Sequence, residues 1–242
     1  MFDYSISHHA NHAADRSRPY PDTLLQTLSQ EASDRAYSEI SSWPGYAQTR
    51  LHDLAGIART ARVERIWYKD EGSRFGLGSF KSLGGAYAVF TQIRSHVKER
   101  TGEEVSIGDL LERRYPELVD EVEVTCATAG NHGRSVAWGA QLFGCHCVIY
   151  LHRAVSAGRE QAIASYGADI VRVDGTYDDS ARQAAADAID TELVEVQHQW
   201  RGATPSARPI EVRAHIGLSR GAPEGDGAHN DTAGLGESHN VT

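Results

Sequence analysis

Between residues 122 and 189 the sequence alternates short apolar runs with stretches that have helical spacing. Three runs rich in β-forming residues predict buried strands, at 122–127, 145–151 and 169–173. Helices are predicted between and after these strands, over 134–143, 158–166 and 181–189. This alternation with short links predicts a parallel sheet with helices on both faces, a three-layer α/β fold. Ligands of such sheets bind at the carboxyl ends of the strands.

The patterns before residue 122 and at the helix ends are more local. Apolar spacing predicts further elements: helices over 23–40, 51–61 and 85–97, and a strand over 66–69. The charged stretch 101–115 is predicted to be a surface excursion. Gly167 suits the left-handed position after a helix end, and Asp178 or Asp179 is placed to cap the last helix.

Lys81 lies between a glycine-punctuated loop and a run with helical spacing, within the segment 73–87. Apolar neighbours can desolvate an amine at such a helix start. A desolvated lysine loses its proton more easily and can attack a carbonyl, which is the chemistry of a Schiff-base lysine. A solvated lysine at a helix start would show the same local pattern, so the motif alone leaves both interpretations open.

A second motif, residues 128–133, directly follows the first predicted strand of the alternating region. Gly130 and Gly133 would let the backbone approach a flat ligand closely. Asn131 offers both a donor and an acceptor to a ring hydroxyl. The alternative is an ordinary strand-to-helix turn capped by the asparagine side chain.

Three blocks together resemble the β-family (fold type II) of pyridoxal-phosphate enzymes, and within it the diaminopropionate ammonia-lyases. They read S-x-F-G-L-x-x-F-K-x-L-G-G-x-Y at 73–87, G-N-H-G-R-x-V-A-W at 130–138 and Y-D-D at 177–179. Serine and threonine dehydratases share the lysine and the G-N turn but usually lack the R-x-V-A-W continuation. The resemblance extends from about residue 67 to about residue 189.

The resemblance implies a fold of the tryptophan synthase β type with an incomplete C-terminal half. Residues 1–87 would belong to the large, cofactor-binding domain, 88–190 would form the small α/β domain, and 191–242 would be a disordered or aberrant tail. Pyridoxal 5'-phosphate would be linked to Lys81, the catalytic residue. The implied cofactor-binding set is Lys81, Phe80, Thr128, Gly130, Asn131, His132 and Gly133. The family's members are usually homodimers.

The implied reaction is α,β-elimination of 2,3-diaminopropionate to pyruvate and ammonia. Lys81 would take the α-proton of the L-isomer. Two alternatives stay open: a serine or threonine dehydratase-like enzyme, and a non-catalytic fragment of such an enzyme. The fragment interpretation is favoured by the lack of a recognisable glycine-rich phosphate loop.

The sequence also departs from the family's pattern in two acidic positions. Ala129 stands where the family has the Asp that serves the D-isomer, and His198 stands where a second Asp is expected. The altered block around His198, with the Gly-, Pro- and His-rich composition after it, predicts a truncated gene or a shifted reading frame after about residue 189. Weak cofactor affinity and little turnover are therefore expected of this chain.

Charge and composition exclude several other classes of protein. The net charge of −9 argues against nucleic acid or an anionic membrane as partner, and no apolar run is long enough to span a bilayer. The polar segment 1–20 lacks the apolar core of a secretory signal. Three cysteines, an odd number, suggest reduced thiols in a cytoplasmic protein. The Cys145-His146-Cys147 run lacks a second cluster, so no metal site is predicted.

Overall fold

The structure is a computed structural model that describes residues 29–190 and 194–195, and three shorter pieces at 11–12, 17–19 and 22–25. The reading-frame change predicted after about residue 189 concerns residues outside this part of the chain. The same holds for the predicted tail, apart from 194–195.

Four parallel strands form the sheet predicted from the alternating region. They are β3 (Glu123–Thr128), β4 (His146–His152), β5 (Asp169–Val173) and β6 (Val194–Glu195). Their order is β5-β4-β3-β6. In the central pair Val124 lies opposite Cys147 and Thr128 opposite Leu151, so both strands end at the same edge of the sheet. The prediction of a parallel sheet is confirmed.

Helices cover both faces of this sheet. One face packs against α7 (Asn131–Phe143) and α8 (Ala157–Ala164), and the other against α9 (Tyr177–Asp190). The long helix α4 (Lys81–Thr101) packs on α7. The strand pleat divides the residues accordingly. Cys126 belongs to the main core with Val136 and Phe143 of α7, whereas Ala127 packs with Ala184 of α9. The three-layer α/β arrangement is confirmed.

The N-terminal part differs from two predictions. It contains α1 (Asp22–Leu25), α2 (Gln30–Ser41), β1 (Leu51–Asp53), α3 (Ala55–Ala61) and β2 (Trp67–Lys69). The helix predicted over 23–40 is interrupted at Ser29, which is extended and accepts a hydrogen bond from the Ala32 N–H at 3.1 Å. The helix predicted over 51–61 starts only at Ala55, because residues 51–53 pair antiparallel with β2.

The stretch 101–115 is also more ordered than predicted. It contains α5 (Ile107–Leu111), and α6 (Pro116–Asp120) follows it. Ser106 and Asp109 form a reciprocal capping box at the start of α5, and Leu110 is buried in the core. The segment therefore contributes to the core instead of only covering the surface.

Helix ends near the sheet follow the predicted chemistry with one correction. Gly167 has φ of 83°, as predicted for a residue after a helix end. At the start of α9, however, Thr176 is the cap: its hydroxyl accepts the Asp179 N–H at 3.3 Å, and the Asp179 carboxylate accepts the Thr176 N–H at 2.7 Å. Asp179 is thus the third residue of a capping box. The predicted domain boundary after residue 87 falls inside α4, and the division into two domains stays a prediction.

Candidate cofactor site

Lys81 is the first residue of α4. The Ser79 hydroxyl accepts the Lys81 backbone N–H at 3.2 Å, and the Lys81 side chain is half-buried. Burial lowers the pKa of the Lys81 amine, because the charged form is poorly solvated there. Among the described residues no hydrogen bond or ion pair engages this amine. It is therefore suited to act as a nucleophile or to exchange a proton.

The lysine loop, residues 73–80, is anchored at its start by a buried arginine. Arg74 is only 3% exposed. Its guanidinium donates to the Glu71 carboxylate at 2.7 Å, to the Ala47 carbonyl at 2.8 Å and to the Thr49 hydroxyl at 3.0 Å. All three partners are fixed by the fold, so the loop enters α4 from a defined position.

The backbone of the lysine loop passes through the left-handed region three times. Phe75 has φ of 49°, which is uncommon for a residue with a side chain, and Gly76 and Gly78 have φ of 72° and 69°. The Phe75 ring packs against Trp138 and Trp43 at centroid distances of 4.9 and 5.9 Å. Packing thus holds an unfavourable backbone conformation close to Lys81, as is common at functional sites.

The asparagine turn, residues 128–133, connects β3 to α7. The buried Thr128 hydroxyl accepts the N–H groups of Gly130 and Gly133, both at 3.1 Å. A Cβ at Gly133 would lie 2.3 Å from the Thr128 Cγ2 atom, so this glycine is required for packing α7 on the sheet. Only Gly130 has open space for a ligand, since a Cβ there would meet nothing closer than Arg159 at 3.8 Å.

Asn131 is exposed as the first residue of α7, at the carboxyl end of β3. Gly130 occupies the cap position, and no side chain caps this helix. Asn131 therefore does not cap α7 with its side chain, which was the alternative to a ligand-binding role. His132 is buried, and Ala129 is exposed and carries no ionisable group.

Helix packing brings the two predicted motifs together. The Ser135 hydroxyl of α7 donates to the Lys81 carbonyl at 2.7 Å. A Cβ at Gly85 would lie 2.4 Å from the Ser135 Oγ atom, and one at Gly139 would lie 2.7 Å from the Ala86 Cα atom. The helices that begin at Lys81 and Asn131 therefore pack closely, with Lys81 one hydrogen bond from the second turn of α7. Phe80, just before α4, is 40% exposed.

Several residues that fix this geometry were not predicted from the sequence. Arg134 donates to a backbone carbonyl of the lysine loop, and Ser135 donates to the carbonyl of Lys81. Glu71 forms an ion pair with Arg74. Arg134 is part of the G-N-H-G-R block, but nothing in that block identifies its acceptor. Ser79 could not be identified as a cap from the sequence, because the residue at the cap position of α4 is Phe80, whose side chain makes no capping hydrogen bond.

Other features of the structure lie outside this region. A cavity of about 380 Å³ at the far end of α7 is lined by residues such as Arg113, Tyr115 and Phe143, and by no predicted site residue. Burial raises the pKa of the Cys147 thiol. Within the described residues no group of three metal-binding side chains occurs, and no helix is both long and apolar enough to cross a membrane.

Comparison with known families gives one match that covers most of the chain. The family described as "Pyridoxal-phosphate dependent enzyme" matches residues 42–216. Diaminopropionate ammonia-lyase of Salmonella typhimurium is 37% identical over 141 residues, which are 58% of this chain and 35% of the relative. The Escherichia coli K12 enzyme of the same name is 36% identical over 156 residues, 64% of this chain and 36% of the relative. The chain thus spans about a third of the length of these relatives.

Solved structures agree with these relatives. The apo form of Escherichia coli diaminopropionate ammonia-lyase has a TM-score of 0.62 and 33% identity, over 72% of this chain and 47% of that chain. The same enzyme in complex with D-serine has a TM-score of 0.64 and 33% identity, over 74% and 45%. A pyridoxal 5'-phosphate-dependent aspartate racemase, 18% identical with a TM-score of 0.53 over 70% and 45%, shares the fold.

Proposed function

Because the chain belongs to the family of pyridoxal-phosphate dependent enzymes, we propose that it is the lysine-bearing part of a diaminopropionate ammonia-lyase. Its α/β fold is the one expected for the fold type II members of that family. The observation that carries the proposal is the half-buried Lys81 amine, whose helix is packed against the helix that begins at the exposed Asn131.

The described residues fit two parts of pyridoxal phosphate. The Lys81 amine has a lowered pKa and no described partner, which suits a covalent bond to the cofactor's carbonyl carbon. The Asn131 amide is exposed at the carboxyl end of β3 and can bind the ring's polar substituent. The rest of the proposed cofactor-binding set consists of Phe80, Thr128, Gly130, His132 and Gly133. Gly133 contributes by allowing α7 to pack on the sheet.

The reaction needs an electron sink at the α-carbon of the substrate, and pyridoxal phosphate supplies one when it is bound. The protein's part is to place a base beside that carbon. Lys81 Nζ, once the substrate's amine has taken its place on the cofactor, would take the proton from Cα of 2,3-diaminopropionate. Because the pKa of this amine is lowered, a larger share of it is neutral at a given pH, and only the neutral amine accepts a proton.

The leaving group is the β-amino group of the substrate, which departs as ammonia. Lys81 can also protonate that nitrogen, since it would hold the proton taken from Cα. Hydrolysis completes the balance: one diaminopropionate and one water give one pyruvate and two ammonia molecules. The ratio of ammonia to pyruvate distinguishes this reaction from serine dehydration, which releases one ammonia per pyruvate.

We propose that the protein acts on L-2,3-diaminopropionate in preference to the D-isomer. Ala129, at the exposed end of β3, cannot take or give a proton. An amino acid whose α-proton faces away from Lys81 therefore lacks a base at this position. Pyruvate release measured with each isomer tests this point, and equal efficiency would mean that another residue serves the second face.

We further propose that the protein works in the cytoplasm as a homodimer on a small amino acid. Cys126, Cys145 and Cys147 form no disulfide within the described residues, which is compatible with a reducing compartment. Light scattering coupled to gel filtration measures the oligomeric state directly. A monomer at working concentration would contradict the dimer without affecting the assignment of Lys81.

The activity test uses the full chain with added pyridoxal phosphate. Pyruvate and ammonia are measured for L-2,3-diaminopropionate, L-serine and L-threonine, with the Lys81→Ala variant as control. We expect slow release at a 2:1 ammonia-to-pyruvate ratio, lost in the variant. Faster turnover of serine or threonine would contradict the proposal. Cofactor attachment without any turnover would favour the non-catalytic fragment.

A further inference from the structure

Arg134 joins the lysine loop to two other elements. Its Nη1 group donates to the Leu77 carbonyl at 3.2 Å, and Leu77 itself is buried. Its guanidinium lies 5.7 Å from the Tyr166 ring centre, and Nη2 is 3.4 Å from the Tyr166 hydroxyl. Since Tyr166 follows α8, one side chain of α7 links α8 to the loop that precedes Lys81.

The Leu77 carbonyl is a distinctive acceptor. Gly76 and Gly78 on either side of Leu77 both have positive φ, so the loop's own backbone cannot continue a regular hydrogen-bond pattern there. Arg134 meets the carbonyl that this turn exposes. Its Nε atom is buried without a partner among the described residues. A buried unsatisfied donor costs stability, so stability alone does not account for an arginine at this place.

The next residue fixes the same segment at a second point. Ser135 donates to the Lys81 carbonyl at 2.7 Å, and the absent side chain of Gly85 makes room for the Ser135 hydroxyl. Two adjacent residues of α7 therefore hold carbonyls four positions apart, one in the lysine loop and one at Lys81. The same helix begins at Asn131.

We infer that Arg134 and Ser135 are positioning residues that set the place of the Lys81 amine relative to the asparagine turn. The inference rests on the proposed role of Lys81 as the reactive lysine. Without these two contacts the start of α4 can move away from α7, and water reaches the amine. The half-buried state of Lys81 then gives way to a solvated one, and the cofactor's two attachment points lose their alignment.

The test measures the protonation of Lys81 in the cofactor-free chain. The protein has three lysines, Lys69, Lys81 and Lys98, so trace labelling with acetic anhydride followed by peptide mass spectrometry resolves each amine. Labelling across a pH series gives a midpoint for each lysine. Burial lowers the pKa of the Lys81 amine, so its midpoint should move up toward that of a solvated lysine when the contacts are removed.

Arg134→Met should raise the Lys81 midpoint, and Ser135→Ala should raise it less. Arg134→Lys keeps a cationic donor, so it should raise the midpoint less than Arg134→Met does. Arg172→Met is the control, because Arg172 on β5 likewise fixes loop backbone by donating to the Arg153 and Val155 carbonyls, at 3.2 and 2.8 Å, and has no contact with the lysine loop among the described residues. It should lower the melting temperature and leave the Lys81 midpoint unchanged.

The inference is overturned if Arg134→Met folds and keeps the wild-type midpoint, or if Arg172→Met shifts it equally. If Arg134→Met does not fold, Ser135→Ala and Arg134→Lys decide, and wild-type midpoints in both overturn it. Labelling uses no cofactor and no substrate, so a chain without lyase activity still answers the question. Absence of cofactor attachment to Lys81 would instead count against the proposed function.

Discussion

The contact between α4 and α7 can be tested by one substitution, because the close approach of the two helices depends on a glycine within α7. Replacing Gly139 by alanine places a Cβ 2.7 Å from the Ala86 Cα atom and 2.9 Å from its Cβ atom. Carbon atoms in van der Waals contact lie about 3.5–4.0 Å apart. The helices must therefore separate by several tenths of an ångström, since neither a backbone atom nor a methyl group can rotate away.

Two opposing effects set the change in the free energy of unfolding that Gly139→Ala causes. Alanine is favoured over glycine in a helix by about 1 kcal/mol. Overpacking in a core costs about 1–3 kcal/mol, and a clash with backbone belongs at the upper end of that range. The net expectation for Gly139→Ala is a loss of about 2 kcal/mol in the free energy of unfolding. For a folded region of this size, that lowers the melting temperature by roughly 4–8 °C.

Urea denaturation followed by far-UV circular dichroism measures this difference, with Gly158→Ala as the matched control. Gly158 lies in α8, and a Cβ there would meet nothing within 4 Å. The control should be neutral or more stable by up to about 1 kcal/mol. If Gly139→Ala were as stable as Gly158→Ala, the close packing of α4 on α7 would be refuted, and with it the basis for placing Lys81 beside the asparagine turn.

Three other predictions concern the site directly. Asn131→Ala should weaken pyridoxal phosphate binding by about 1–3 kcal/mol through an unmet polar group; unchanged affinity in an absorbance titration would remove Asn131 from the site. The rate of cofactor attachment to Lys81 should rise with pH and level off below about pH 10.4, the value for an unperturbed lysine, because burial lowers the pKa of this amine. Stopped-flow absorbance over a pH series checks this, and a plateau only at higher pH would contradict it. Arg74→Met should destabilise the fold by about 3–5 kcal/mol, since it leaves the Glu71 carboxylate without its buried partner; a urea midpoint equal to that of the wild type would show that the pair does not anchor the loop.

Short-range patterns in the sequence were sufficient for the central sheet and its helices. β3, β4 and β5 coincide with apolar runs, and the helices between them coincide with a 3.6-residue apolar spacing. Each strand and each helix is therefore indicated by its own local sequence. The cap of α9 could also have been predicted from the sequence, because Thr176 and Asp179 have the spacing of a capping box. Assigning the cap to an aspartate overlooked the threonine before it.

The misassigned elements depend on distant partners. β1 looked helical because its residues are compatible with either structure, and pairing of His52 with Tyr68 on β2 decides the outcome. The contact of Arg134 with Leu77 could not be predicted, since the acceptor is a backbone carbonyl far away in the sequence. That a Cβ at Gly133 would collide with Thr128 could not be predicted either, since only the packing of α7 on the sheet determines it.

The most direct test of the account is to locate the covalent attachment of the cofactor. The full chain is loaded with pyridoxal phosphate, reduced with borohydride and digested, and the peptides are mapped by mass spectrometry. Since Lys81 is the half-buried amine with a lowered pKa, the pyridoxyl group should be found on Lys81. A label on Lys69 or Lys98, or one distributed equally over the three lysines, would contradict the central claim.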